Sequence, residues 1–201
     1  MFPAIILAHL NVNNMQSIIL ASQSPRRKQL LEWAEILFKV VVQNTDETYP
    51  NHLQAEDVAI HIARQKALAV QQMGYNKTIV AADTIVVLGE TIIGKPKDRA
   101  NAVEILTALS GKQHRVITGV VILNGNHETA FADVTHVDFH TLTQADIDFY
   151  IDKYQPYDKA GAYAIQEWIG VVGIKGVKGD FYNVMGLPVS RVVQALQQLP
   201  Q

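Results

Sequence analysis

The chain of 201 residues is 48% hydrophobic, enough to bury the core of one domain, or of two small lobes sharing a cleft. Its 17 Lys and Arg against 19 Asp and Glu leave a formal net charge of −2, so no global field draws in nucleic acid or acidic membrane, and any anion site has to be local. The absence of cysteine excludes a disulfide framework, thiolate zinc ligation and thiol catalysis, and it permits a reducing compartment.

Met1 to Ala8 is apolar, but it lacks a basic lead, and Asn11, Asn13 and Asn14 interrupt it before it could span a bilayer. Residues 1–14 are read as an N-terminal extension, with Met15 as an alternative start and 15–201 as the domain. Ile18 to Ala21 predicts a short strand that stops at Ser22-Gln23-Ser24-Pro25. There Ser24 suits an N-cap and Pro25 the first turn of a helix to about Glu35. Phe38 to Gln43 reads as a second strand, followed by a polar loop with Asp46 and Glu47. From about Ala55 to Met73, the apolar positions Val58, Ile62, Ala63, Ala67 and Val70 mark one helix face, so Lys66 sits on a rigid element.

Thr78 to Ala82 and Ile85 to Leu88 are β-rich on either side of Asp83-Thr84, which places Asp83 at a strand end, and Gly89-Glu90 turns the chain into Ile92-Ile93. Asp98 caps a helix through Leu109, ended by Ser110-Gly111. His114 to Leu123 and Glu128 to Phe139 form a hairpin about Asn124-Gly125, the strongest turn signal in the chain. Thr143 with Asp146 resembles a capping box opening a helix to about Lys153. The stretch from Gly161 to Gly186 is Gly-rich, and Pro188 opens a closing helix with Val189, Val192, Val193 and Leu196 inward. The order predicts a mixed α/β fold.

Four segments carry chemistry. In Ser22-Gln23-Ser24-Pro25-Arg26-Arg27, cations at a helix N-terminus oppose the macrodipole, so an anion is expected to compensate them. Free N–H groups, hydroxyls and guanidiniums would together cradle an oligophosphate. Alone, the same residues read as two solvated arginines after a capping serine. In the second segment, Asp46, Glu47 and Asp83 are carboxylates able to hold Mg²⁺, with Lys66 adding charge; Asp83 alone reads equally as a turn former. Gly94-Lys95-Pro96-Lys97 offers a further point charge for phosphate. In Lys159-Ala160-Gly161-Ala162-Tyr163-Ala164-Ile165-Gln166, the amide of Gln166 has the paired donor and acceptor needed to read a base edge, or it is a satisfied polar edge beside core residues. His136, Asp138 and His140 alternate on one strand face and read as solvated; no HExxH, P-loop or GxGxxG occurs.

These blocks, in order from about residue 18 to the C-terminus, resemble the Maf (septum formation inhibitor) family of nucleoside triphosphate pyrophosphatases. The matching stretches are Leu20 to Arg27, Asp46-Glu47, Lys66-Ala67, Ala82 to Val86, Gly94 to Lys97, Ser110-Gly111 with His114 and Val116, Lys159 to Gln166, and Asn183-Val184 with Gly186-Leu187-Pro188. The resemblance implies a mixed α/β fold with an elongated central sheet and two lobes around a deep cleft, similar to the inosine triphosphate pyrophosphatases. It implies a divalent cation, Mg²⁺ or Mn²⁺, and water attack at the α-phosphorus. Asp83 is then the expected proton acceptor, as base or as metal ligand together with Glu47. Arg26, Thr84 and Gln166 match positions of substrate choice, while Ser22, Ser24, Arg27, Lys66 and Lys95 match the phosphate region.

Ile165-Gln166, with Asn183 to Pro188 downstream, resembles the branch acting on dTTP and UTP, with modified pyrimidine nucleotides and a house-cleaning role in view. The competing readings are 7-methyl-GTP hydrolysis and a non-catalytic nucleotide-binding regulator of septation. A cytoplasmic homodimer that binds neither nucleic acid nor membrane is expected. Two departures from the family pattern stand out: Thr45 replaces an apolar residue, and Trp168 is expected at the rim of the base pocket.

Overall fold

The computed structural model describes residues 17–200. The expected extension, 1–14, and the alternative start at Met15 lie outside the described residues. The long alternating runs form the strands β3 (Ile79–Leu88), β5 (Gln113–Asn124) and β6 (His127–Phe139), with β5 between the other two and antiparallel to both. The predicted turn joins β5 to β6, with Gly125 at φ 59°, a conformation that costs glycine nothing. β1 (Ile18–Leu20) and β2 (Phe38–Val40) add in parallel, β4 (Thr91–Ile93) folds back on β3, and β7 (Ile174–Lys178) closes the far edge. The seven-stranded sheet runs β2-β1-β3-β5-β6-β7, with β4 beside β3. It is the expected mixed α/β fold around one central sheet.

Alternation along β3 sorts its side chains onto two faces. Ile79, Ala81, Ile85 and Val87 meet the helix α2 (Ala55–Gln71), whereas Val80, Ala82 and Val86 join the larger core on the other face. That larger core is covered by α1 (Pro25–Trp33), α3 (Arg99–Leu109), α4 (Gln144–Tyr154) and α7 (Val189–Gln197). Asp98 caps α3, and Thr143 with Asp146 forms the capping box of α4, as the sequence predicts. Within the Gly-rich stretch lie a 3-10 turn (Ala160–Ala162) and the short helices α5 (Trp168–Gly173) and α6 (Phe181–Met185). Each is too short to signal a period.

Two expectations are corrected. The strand expected over Phe38 to Gln43 ends at Val40, where its pairing with Ile18 to Leu20 ends among the described residues. Asp83 is not at a strand end: β3 runs unbroken through Asp83-Thr84, with Asp83 opposite Gly119 and Thr84 opposite Thr118. A continuous partner strand outweighs the low β-propensity of one aspartate.

The other edge of β3 explains why a carboxylate is tolerated there. β1 pairs with Ile79 and Val80, and β4 with Val86 to Leu88, so among the described residues no strand lies alongside the positions between them. The sheet is split at that edge, and the split opens at Asp83.

Candidate active site

A cavity of about 410 Å³ fills the split. Its wall includes Ser22, Ser24, Arg26 and Arg27 from the start of α1, Glu47, Lys66 on α2, Asp83 and Thr84 on β3, and Lys95 after β4. Because Asp83 and Thr84 are consecutive on a strand, they point to opposite faces; both reach the cavity only because the edge between β1 and β4 is uncovered.

On the α2 face, Lys66 Nζ lies 2.6 Å from Asp83 Oδ1 and 2.8 Å from Glu47 Oε1. The side chains of Lys66 and Asp83 are 18% and 15% exposed, and that of Glu47 is 53% exposed. Burial works to raise the Glu47 carboxyl, but the Lys66 hydrogen bond and charge, with Lys95 and Arg27 beyond, outweigh it and hold it below its ordinary value. Gly119, opposite Asp83, sets the height of α2: a Cβ there would stand 2.3 Å from the backbone at Ala59 and Ile60. Glycine thus lets α2 lie close enough for Lys66 to reach the strand.

On the other face, Arg27 is buried. Its Nε donates to Gly186 O at 2.8 Å, Nη1 to Ser22 Oγ at 3.0 Å and Nη2 to Thr84 Oγ1 at 3.0 Å. Desolvation pulls the guanidinium below its ordinary value, against the charge of Asp83. Ser24 occupies the N-cap of α1, but its side chain makes no cap bond, and the first turn holds no acidic residue. Pro25 has no N–H, and the N–H groups of Arg26 and Arg27 lack an intrahelical acceptor, as at any helix start, an arrangement that suits an anion. The anion expected beside the arginines is supplied to Arg26 by Asp158, at 3.2 Å.

Most of the predicted residues converge. Gln166 does not join them in the wall; it is exposed, two residues beyond the lining residue Ala164. Thr45 does line the cavity. Trp168, expected at the base-pocket rim, is instead packed edge-on against Phe149 at 4.8 Å, because its place on α5 turns it toward α4. His136 and Asp138 pair with β7, and among the described residues no group of three or more His, Asp or Glu is placed to hold a metal.

Sequence reasoning gave no role to Lys159, which lines the cavity and is 8% exposed. Its ammonium donates to Asp158 Oδ1 at 2.7 Å and lies 3.5 Å from Glu167 Oε1. The Glu167 carboxylate accepts from Tyr150 OH, which in turn accepts from the Ala164 backbone N–H. Burial and the carboxylate push the Tyr150 phenol up. The one sequence signal for this network is a lysine embedded in an apolar, glycine-containing block, which folding buries only with partners.

The two carboxylates on Lys66 fit a divalent cation. Mg²⁺ is usually held by one or two protein carboxylates and completes its shell with phosphate oxygens and water, and Glu47 and Asp83 supply that number.

Residues 17–199 match the family described as Maf: Maf-like protein. The chain is 48% identical to the dTTP/UTP pyrophosphatase of Cytophaga hutchinsonii over 182 residues, which cover 90% of this chain and 84% of that protein. It is 46% identical to the dTTP/UTP pyrophosphatase of Bacteroides fragilis over 184 residues, 90% of this chain and 95% of that one. A solved structure of a HAM1 protein from Coxiella burnetii aligns with a TM-score of 0.48 at 18% identity, over 92% of this chain and 100% of that chain.

Proposed function

This chain belongs to the Maf family, and from that premise we propose that it hydrolyses dTTP and UTP to the nucleoside monophosphate and pyrophosphate. The observation that carries the chemistry is the Glu47–Lys66–Asp83 clamp, set in the same cavity as the uncapped start of α1 and Lys95. Two carboxylates beside a cationic cradle suit an oligophosphate substrate and a water nucleophile together. Modified pyrimidine nucleotides fall within the same chemistry, in keeping with a house-cleaning role.

In this reading Asp83 receives the proton of the attacking water. The water oxygen bonds to the α-phosphorus as the bond from that phosphorus to the α,β-bridging oxygen breaks, and pyrophosphate leaves. Lys66 holds the Asp83 carboxylate in place for that task. Lys95, the hydroxyls of Ser22 and Ser24, and the first turn of α1 meet phosphate oxygens. Arg27 adds charge while its three observed bonds hold the frame. Glu47 and Asp83 would hold Mg²⁺ or Mn²⁺, which would supply charge neutralisation on the triphosphate. Arg26 and Thr84, in the cavity wall, and Gln166, exposed two residues beyond it, are assigned to substrate choice.

We further propose a cytoplasmic homodimer with 15–201 as its catalytic unit. Among the described residues no helix is long and apolar enough to cross a membrane.

The test is pyrophosphate release from dTTP, UTP, CTP, GTP, ITP and 7-methyl-GTP, with Mg²⁺ and with Mn²⁺. Release from dTTP and UTP is expected. Preference for 7-methyl-GTP would move the chain to another branch, and silence on every nucleotide would overturn the hydrolase.

A further inference from the structure

A run of buried hydroxyls and amides stands behind the cavity, and its hydrogens can be counted. A guanidinium only donates, so the bond from Arg27 Nη2 to Thr84 Oγ1, at 3.0 Å, uses Thr84 as acceptor. A carbonyl only accepts, so the single hydrogen of the Thr118 hydroxyl is spent on Asn183 O at 3.1 Å. The 2.9 Å contact between Thr84 Oγ1 and Thr118 Oγ1 must then run from Thr84 to Thr118. Thr118 and Asn183 are fully buried. Asn183 is held in turn through Nδ2 to Val116 O at 3.0 Å and to Thr135 Oγ1 at 2.9 Å.

The bonds close into a ring. Asn183 lies in α6, whose C-cap residue Gly186 accepts from Arg27 Nε at 2.8 Å. Arg27 bonds Thr84, Thr84 bonds Thr118, and Thr118 returns to α6. The ring ties α1, β3, β5 and α6 together, and the α6 residues Val184 and Met185 line the cavity with Gly186. Gly186 O, a second acceptor for the Thr84 hydroxyl, is 3.4 Å away, longer than the 2.9 Å to Thr118, and already takes the Arg27 Nε–H on one of its two lone pairs.

We infer that Thr118, one strand behind the cavity, is a positioning residue that fixes Thr84 as a hydrogen-bond acceptor toward the substrate and holds Arg27 in place. With its hydrogen spent on Thr118, Thr84 has only a lone pair to offer a ligand. A group meeting it must donate: at the ring nitrogen this favours uracil and thymine, which carry N–H there, over cytosine, whose donor is the exocyclic amine instead. The consequence for base choice rests on the pyrophosphatase reading; the ring itself does not.

The experiment compares wild type with Thr118→Val, which keeps the shape and removes the hydroxyl, and with Thr118→Ser, which keeps the hydroxyl and removes a methyl. In Thr118→Val the Thr84 hydrogen is released, and the kcat/KM ratio of UTP to CTP is expected to fall about tenfold, while Thr118→Ser retains the wild-type ratio. A merely structural role predicts lower melting temperatures for both variants and an unmoved ratio, which would overturn the inference. A readout without substrate accompanies the kinetics: the Arg27 Nε–H proton and the Thr84 and Thr118 hydroxyl protons, observed by NMR. In wild type they are expected to be protected from exchange. In Thr118→Val the Arg27 signal should shift and lose protection, and in Thr118→Ser it should not. If wild type cleaves no nucleotide, the pyrophosphatase reading falls, and these signals alone decide the ring. If Thr118→Val does not fold, exchange-labile hydroxyl protons in wild type still overturn it.

Discussion

Two cations face the same cavity from opposite sides of β3 and are held in opposite ways. Lys66 is bound by two carboxylates, with Glu47 half in solvent. Arg27 is buried and bound by two hydroxyls and a carbonyl, all neutral. A charged clamp near water can exchange partners when a phosphate or cation arrives, because solvent and ligand replace what is given up. A buried guanidinium cannot, because each broken bond strands a polar group away from water. One side of the cavity is therefore built for chemistry and the other for framing it.

The largest test of this division is Asp83→Asn. Removing the proton acceptor while keeping the shape is expected to lower kcat about a thousandfold, with the denaturant midpoint close to wild type. A variant that stays active would move Asp83 out of the chemical role and erase the contrast. Arg27→Met should do the reverse, lowering stability by about 3 kcal/mol by leaving its buried partners unpaired. Urea unfolding at unchanged m-value measures it, and a loss of activity without a loss of stability would make Arg27 a substrate ligand instead. Gly119→Ala should disturb both sides at once. Lifting α2 off the sheet costs about 2 kcal/mol and withdraws Lys66 from Asp83, so melting temperature and kcat should fall together.

The smallest effect separates the two sides by pH. The Glu47 carboxyl is held below its ordinary value of 4.5, so its contribution is present above that value in the folded protein and is lost as pH falls through the lowered one. Screening leaves the pair worth no more than about 1 kcal/mol. Glu47→Gln should therefore remove a shallow acid-side slope from the stability profile. The Arg27 side, bonded to neutral oxygens, contributes no slope there, and an unchanged profile in Glu47→Gln would place the titrating group elsewhere.

The two sides also differ in how readily they were read from sequence. Lys66 falls on a helix whose apolar period is plain and Asp83 follows an apolar run, so both are placed on regular elements, and the family resemblance gives them their chemistry. Arg27 looked like a cation destined for phosphate, whereas its bonds to Thr84 and Gly186 join segments far apart in the chain. Lys159 and Glu167 went unassigned because a buried ion pair has no local pattern. Gln166, chosen for its chemistry, lies exposed outside the cavity wall.

The sequence by itself determined the features that depend on near neighbours: the hairpin at Asn124-Gly125, the caps at Asp98 and Thr143, the amphipathic α2, and the ordered charged blocks that mark the family. These are set by backbone preference and by hydrogen bonds a few residues long. Only the tertiary structure decided that β3 runs through Asp83, and that β1 and β4 leave its edge open there. Strand partners come from distant segments, and pairing energy between them outweighs the preference of any one residue. That open edge lets two consecutive residues on opposite faces, Asp83 and Thr84, serve one cavity.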